Sequence, residues 1–84
     1  MYKEKLEALI LELYPDIDPN LLHKEISLVE LLGLDSLSFV NLVVEIEQLF
    51  DNSFKNTDIF DTNLTFDQIL DIMERDFTDG EINS

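Results

Sequence analysis

Ser36, within Leu32-Gly33-Leu34-Asp35-Ser36-Leu37-Ser38, is the hydroxyl best placed for chemistry in this 84-residue chain. Other arrangements that could do chemistry fall short. A hydrolase elbow needs Gly-x-Ser-x-Gly on a strand-to-helix turn, whereas here the glycine lies three residues before Ser36 and none follows it. The single histidine, His23, sits among leucines with no triad partners in view. The stretch DNSFKNTDIFDT has the acids of a calcium loop but lacks glycine at its sixth position and a carboxylate at its twelfth. Two glycines cannot build a phosphate-cradling loop. There is no cysteine, hence no disulfide scaffold, no thiolate metal site and no thiol nucleophile. No metal site is expected, and Asn63-Leu64-Thr65 is a glycosylation sequon only in form. Ser36 is left either as a helix cap or as a residue to be modified, and Asp35 beside it could cap as well.

The elements that position Ser36 follow from apolar spacing. Tyr2, Leu6, Leu9, Ile10 and Leu13 recur at intervals of three and four, which predicts a first helix ended by Pro15. At about 100° per residue, Phe39, Leu42, Val43, Ile46, Leu49 and Phe50 share one arc of a helix from about Ser36 to Phe50. Leu37, Val40 and Val44 lie off that arc as a second apolar stripe, the pattern of a docking surface. Thr65 and Gln68 form a capping box for a last helix with Phe66, Ile69, Leu70, Met73 and Phe77 inward. Ile59 and Phe60 suggest one short helical turn. Residues 15–34 allow two readings: a helix capped by Asn20 and running to Leu32, or a single turn capped by Ser27 and Glu30 in an otherwise apolar loop. Nothing reads as a strand. The expected fold is all-α, a small bundle of three main helices plus one short helix, with a domain over residues 1–77 and a flexible tail at 78–84.

Composition narrows the partners. Nineteen acids against five Lys and Arg give a formal charge of −14, which argues against nucleic acid and against an anionic membrane surface. No apolar run approaches the roughly 20 residues that span a bilayer. A cytoplasmic monomer that attracts proteins with basic patches is expected.

The stretch SLVELLGLDSLSFVNLVVEIEQLF resembles the core of an acyl carrier protein, with Asp-Ser-Leu after a glycine at the start of the second main helix. Length, helix order and acidity agree over nearly the whole chain. The resemblance implies that Ser36 accepts the phosphopantetheine of coenzyme A from a magnesium-dependent phosphopantetheinyl transferase. The chain would then hold acyl or related intermediates as thioesters without catalytic groups of its own. It also implies that Leu37, Val40 and Val44 contact loading, acyl-transfer or condensing enzymes, with Asp35 and Glu47 facing their basic docking patches.

Ser38, Asn41 and Gln48 depart from this pattern, standing where fatty-acid carriers commonly have acids. The expected role is that of a free-standing acyl carrier in a fatty-acid, polyketide or specialised biosynthetic pathway, and these departures count against a general fatty-acid role with the usual partners and fit a carrier dedicated to one specialised pathway. A peptidyl or aminoacyl carrier of a nonribosomal or D-alanylation type is an alternative, although the motif lacks the paired glycines typical of the peptidyl class. A non-modified acidic adaptor, with Ser36 as a cap alone, is the alternative from a different class.

Overall fold

A computed structural model describes residues 2–77, and the expected tail at 78–84 lies outside them. The described chain is all-α. Three main helices, α1 (Tyr2–Leu13), α3 (Ser36–Phe50) and α4 (Phe66–Asp76), are joined by α2 (Leu28–Leu32) and by two 3-10 turns, Pro19–His23 and Thr57–Phe60. The expected short helix at Ile59 and Phe60 is the second of these turns, and α2 is an additional short element.

Helix α1 ends because Tyr14 precedes Pro15, and its last turn closes with the Tyr14 N–H on the Ile10 carbonyl at 2.8 Å. Leu6, Leu9 and Ile10 are buried as the spacing requires, but Leu13, at the helix end, is exposed. Between residues 15 and 34 the Ser27-capped reading holds in part. The Ser27 hydroxyl accepts the Glu30 N–H at 3.1 Å and starts the single turn of α2. What precedes it is ordered, since the Asp18 side chain caps Pro19–His23 through the Asn20 N–H. Two short pieces replace one helix because Leu22 and Leu28 must both reach the core, where 1% and 0% of their surface remains exposed. Breaking the chain at Lys24, whose backbone is extended, lets each point inward.

One strand-like contact exists among the described residues, an isolated antiparallel bridge between Ser27 and Thr65, with the Leu28 N–H on the Leu64 carbonyl at 3.0 Å. It ties the start of α2 to the start of α4, where Thr65 and Gln68 form both arms of the capping box. The core runs through Leu6, Ile10, Phe39, Ile46, Ile59, Phe66 and Met73. It is closed at one end by Tyr2, Phe50, Phe54 and Phe77, whose neighbouring rings stand 4.8–5.8 Å apart. Ile72 joins the buried face of α4 that Phe66, Ile69, Leu70, Met73 and Phe77 were expected to form.

Candidate functional site

The approach to Ser36 is built backbone first. Helix α2 stops at Gly33, which adopts φ +69°, a left-handed conformation that glycine reaches without strain. The Leu34 N–H returns to the Val29 carbonyl at 2.9 Å and the Gly33 N–H to the Glu30 carbonyl, so the turn closes on itself. Leu34 then packs against the core from a half-buried position, and Phe39, five residues on, is wholly inside it. Ser36 thus sits between two apolar anchors.

Asp35 is the N-cap of α3: its Oδ1 accepts the Ser38 N–H at 2.7 Å. That hydrogen bond holds the Asp35 carboxyl below the usual carboxylate range. Ser36 is therefore the first helical residue rather than the cap. Its side chain is exposed, and no described side chain or backbone group hydrogen-bonds its hydroxyl. The adjacent N–H groups of Ser36 and Leu37 also lack acceptors among the described residues, as the first turn of a helix leaves them. A phosphodiester on Ser36 would meet these donors and the positive end of the helix dipole.

Among the described residues no base is in place to activate this hydroxyl. Asp35 is engaged by Ser38, and His23 is occupied elsewhere, with Nε2 2.7 Å from Glu7 Oε2 and its ring edge-on to Phe66. The arrangement suits a nucleophile whose proton is removed by another protein.

The expected stripe is on the surface. Leu37 is 70% exposed, Val40 39% and Val44 43%, while Phe39, Leu42, Val43, Ile46 and Phe50 are buried. Leu49 differs from expectation: it lies 44% exposed at the edge of the inward arc, where no neighbouring element covers it. Glu47 is half-buried rather than free, and its Oε2 accepts the Phe54 N–H at 2.9 Å. Below Val44 the stripe runs into an open cleft also lined by Glu47, Gln48, Asp51, Asn52 and Ser53.

Sequence reasoning missed the carboxylate of Asp76, which is 2% exposed. It accepts the Lys55 N–H at 2.9 Å and is gripped by Arg75, whose Nε lies 2.7 Å away and whose other nitrogens reach Asp58 at 2.8 and 3.0 Å. Glu47 and Asp76 together hold two consecutive N–H groups of the loop beside the cleft. A signal existed, because an acid at position 76 interrupts the inward series of Ile69 and Met73.

An all-helical bundle that offers one unpaired serine at the head of a firmly seated helix, beside an apolar stripe, has the form of a protein that others modify and dock against. The sequence profile of the phosphopantetheine attachment site family matches residues 4–73, and the chain belongs to that family. It is a phosphopantetheine-bearing carrier protein of the acyl carrier type, and phosphopantetheine is its covalent prosthetic group. Such carriers interact with phosphopantetheinyl transferases and acyl-handling enzymes. No curated protein and no solved structure matches the chain. No described helix is long and apolar enough to cross a membrane.

Proposed function

We propose that Ser36 is the attachment residue and that the chain serves a dedicated acyl-thioester pathway, of fatty-acid, polyketide or specialised type, as a cytoplasmic carrier. The observation that carries the assignment is the division of labour at the head of α3. Asp35 performs the capping, which leaves the Ser36 hydroxyl exposed and without a hydrogen-bond partner among the described residues.

In the transfer, Ser36 Oγ attacks a phosphorus of the coenzyme A pyrophosphate. A new O–P bond forms, the pyrophosphate O–P bond breaks, the nucleotide half departs, and the serine proton passes to a base on the transferase. The group so attached supplies the thiol that this cysteine-free chain lacks. The chain itself provides the rigid point of departure, the free N–H groups beside the phosphate, and a surface for partners, with catalysis left to those partners. Leu37, Val40 and Val44 form that surface, with Asp35 and Glu47 at its edges and the charge of −14 drawing in enzymes with basic patches. The replacement of acids by Ser38, Asn41 and Gln48 on the docking helix supports dedicated rather than general partners.

The test is intact mass after incubation with coenzyme A, magnesium and a broad-specificity phosphopantetheinyl transferase. A gain of one phosphopantetheine that vanishes in Ser36→Ala supports the assignment. The same gain in the Ser36→Ala protein moves the attachment to another residue, whereas no gain from folded protein with several transferases removes the assignment and favours the adaptor.

A further inference from the structure

Five asparagines lie among the described residues, and the backbone amide that follows each one has a different setting. After Asn20, Leu21 donates its N–H to the Asp18 carbonyl at 2.9 Å, and after Asn63, Leu64 donates to the Asp61 carbonyl at 3.3 Å. After Asn41, Leu42 lies inside α3, where main-chain amides bond along the helix. Asn56 is followed by Thr57, whose branched side chain crowds its amide. Asn52 differs from all four. Its successor is the small Ser53, and the Ser53 N–H is directed at the Asn52 side chain itself, 3.3 Å from Oδ1. Glu47 holds the backbone on both sides of this pair. Its carbonyl accepts the Asn52 N–H at 3.1 Å, and its Oε2 accepts the Phe54 N–H at 2.9 Å. Asn52 is half-buried but Ser53 is exposed, so solvent reaches the amide.

We propose that Asn52 is a site of self-modification, where the Ser53 amide closes a cyclic imide that opens to aspartate and isoaspartate. A solvent base takes the Ser53 N–H proton, and the nitrogen attacks Asn52 Cγ. The N–Cγ bond forms, the Cγ–Nδ2 bond breaks, and ammonia leaves with a proton from solvent. Water then opens the ring. Attack at Cγ restores the ordinary backbone and gives aspartate, whereas attack at the main-chain carbonyl gives isoaspartate. Groups held about 3–3.5 Å apart react without a search for one another, and Oδ1 is one bond from the carbon attacked. At Asn20, Asn41 and Asn63 the following amide must first leave its carbonyl. Either product places a carboxylate in the cleft below Val44, beside Glu47 and Asp51. Isoaspartate also lengthens the main chain by one methylene between the two points that Glu47 holds, which loosens the Phe54 contact. The lining of this cleft thus turns from carboxamide to acid as the molecule ages, with no enzyme required.

The test separates what the fold contributes from what the dipeptide contributes. The native chain, and the same chain unfolded in guanidinium chloride, would be incubated at mildly alkaline pH. Peptide mass mapping then follows amide-to-acid conversion at each asparagine, and chromatography separates isoaspartate from aspartate. In the folded chain Asn52 should convert at least tenfold faster than Asn20, Asn41, Asn56 and Asn63, and faster than Asn52 does in the unfolded chain. Both aspartate and isoaspartate should form at position 52. Asn52→Gln should lose this leading conversion, because its longer side chain must close a larger ring. A folded-chain rate at Asn52 no greater than the unfolded one overturns the inference, since the fold then protects the residue instead of arming it. Aspartate at position 52 without isoaspartate also overturns it, because direct hydrolysis of the side chain never passes through the ring.

Discussion

Replacing Asp76 with alanine removes the acceptor on which the loop before Thr57–Phe60 depends. The carboxylate is buried and takes the Lys55 N–H at 2.9 Å, so the substitution leaves a part-buried donor unpaired. A hydrogen bond to a charged group is worth about 1.5–3 kcal/mol. The partner Arg75 adds little to this, because it is about half-exposed and keeps both contacts with Asp58. The expected cost is therefore about 2 kcal/mol, which in a domain of this size lowers the melting temperature by roughly 8–16 °C. Asp76→Asn retains a neutral acceptor for Lys55 and should cost about 1 kcal/mol.

The pH dependence follows from the sign of the shift. The Arg75 guanidinium, helped by the Lys55 N–H and opposed by burial, holds the Asp76 carboxyl below the usual carboxylate range. A group with a lowered folded-state pKa stabilises above its unfolded value, and that stability is lost as pH falls through the folded one. The difference between native protein and Asp76→Asn should thus be constant from pH 8 to 5 and shrink below about pH 4. Urea melts at pH 7, 5 and 3 measure it. An Asp76→Ala protein within about 0.5 kcal/mol of native, the ordinary range for inconsequential surface changes, would refute the reasoning. So would an Asp76→Asn deficit as large at pH 3 as at pH 7.

The head of α3 yields a paired prediction: Ser36→Ala should leave the thermal midpoint unchanged, because Ser36 is not the cap, whereas Asp35→Ala should lower it while still gaining phosphopantetheine. Differential scanning fluorimetry beside intact mass reads both, and a destabilised Ser36→Ala protein would contradict the capping assignment. At the other end of the helix, Asp51 closes α3 at φ +51°, in the left-handed region, and places an acid at the negative end of the helix dipole. Asp51→Gly should raise stability by about 0.5–1 kcal/mol in a urea melt, and a loss would mean that the Asp51 side chain contributes more than its backbone costs.

Periodicity revealed most of the fold where one helix face met one core. Phe39, Leu42, Val43 and Ile46 turned inward and Leu37, Val40 and Val44 outward, because a 15-residue helix averages over local accidents. It misplaced Leu13 and Leu49, since the angle on a helix says which way a side chain points but not whether anything waits there to cover it. Residues 15–34 allow two forms in sequence because the choice depends on Leu22 and Leu28 reaching one core from two directions, a tertiary demand with no local signature. Ser36 was legible through its surrounding motif. The internal engagement of Glu47 was not, because it meets a backbone N–H seven residues away and resembles every other acid in the sequence, and for Asp76 the break in the inward series of α4 marked the residue but not its partner 21 residues away.

The bridge between Ser27 and Thr65 gives the head of α3 a thermodynamic dependence on the far end of the chain. Helix α2, five residues long, is too short to persist in water by itself. It exists because its first amide is held by Leu64, next to the cap of α4. The amides of Leu28 and Leu34 should accordingly exchange with solvent through one shared opening, set by the start of α4 rather than by α2. Opening of that bridge should therefore loosen the turn at Gly33 that leads into Ser36.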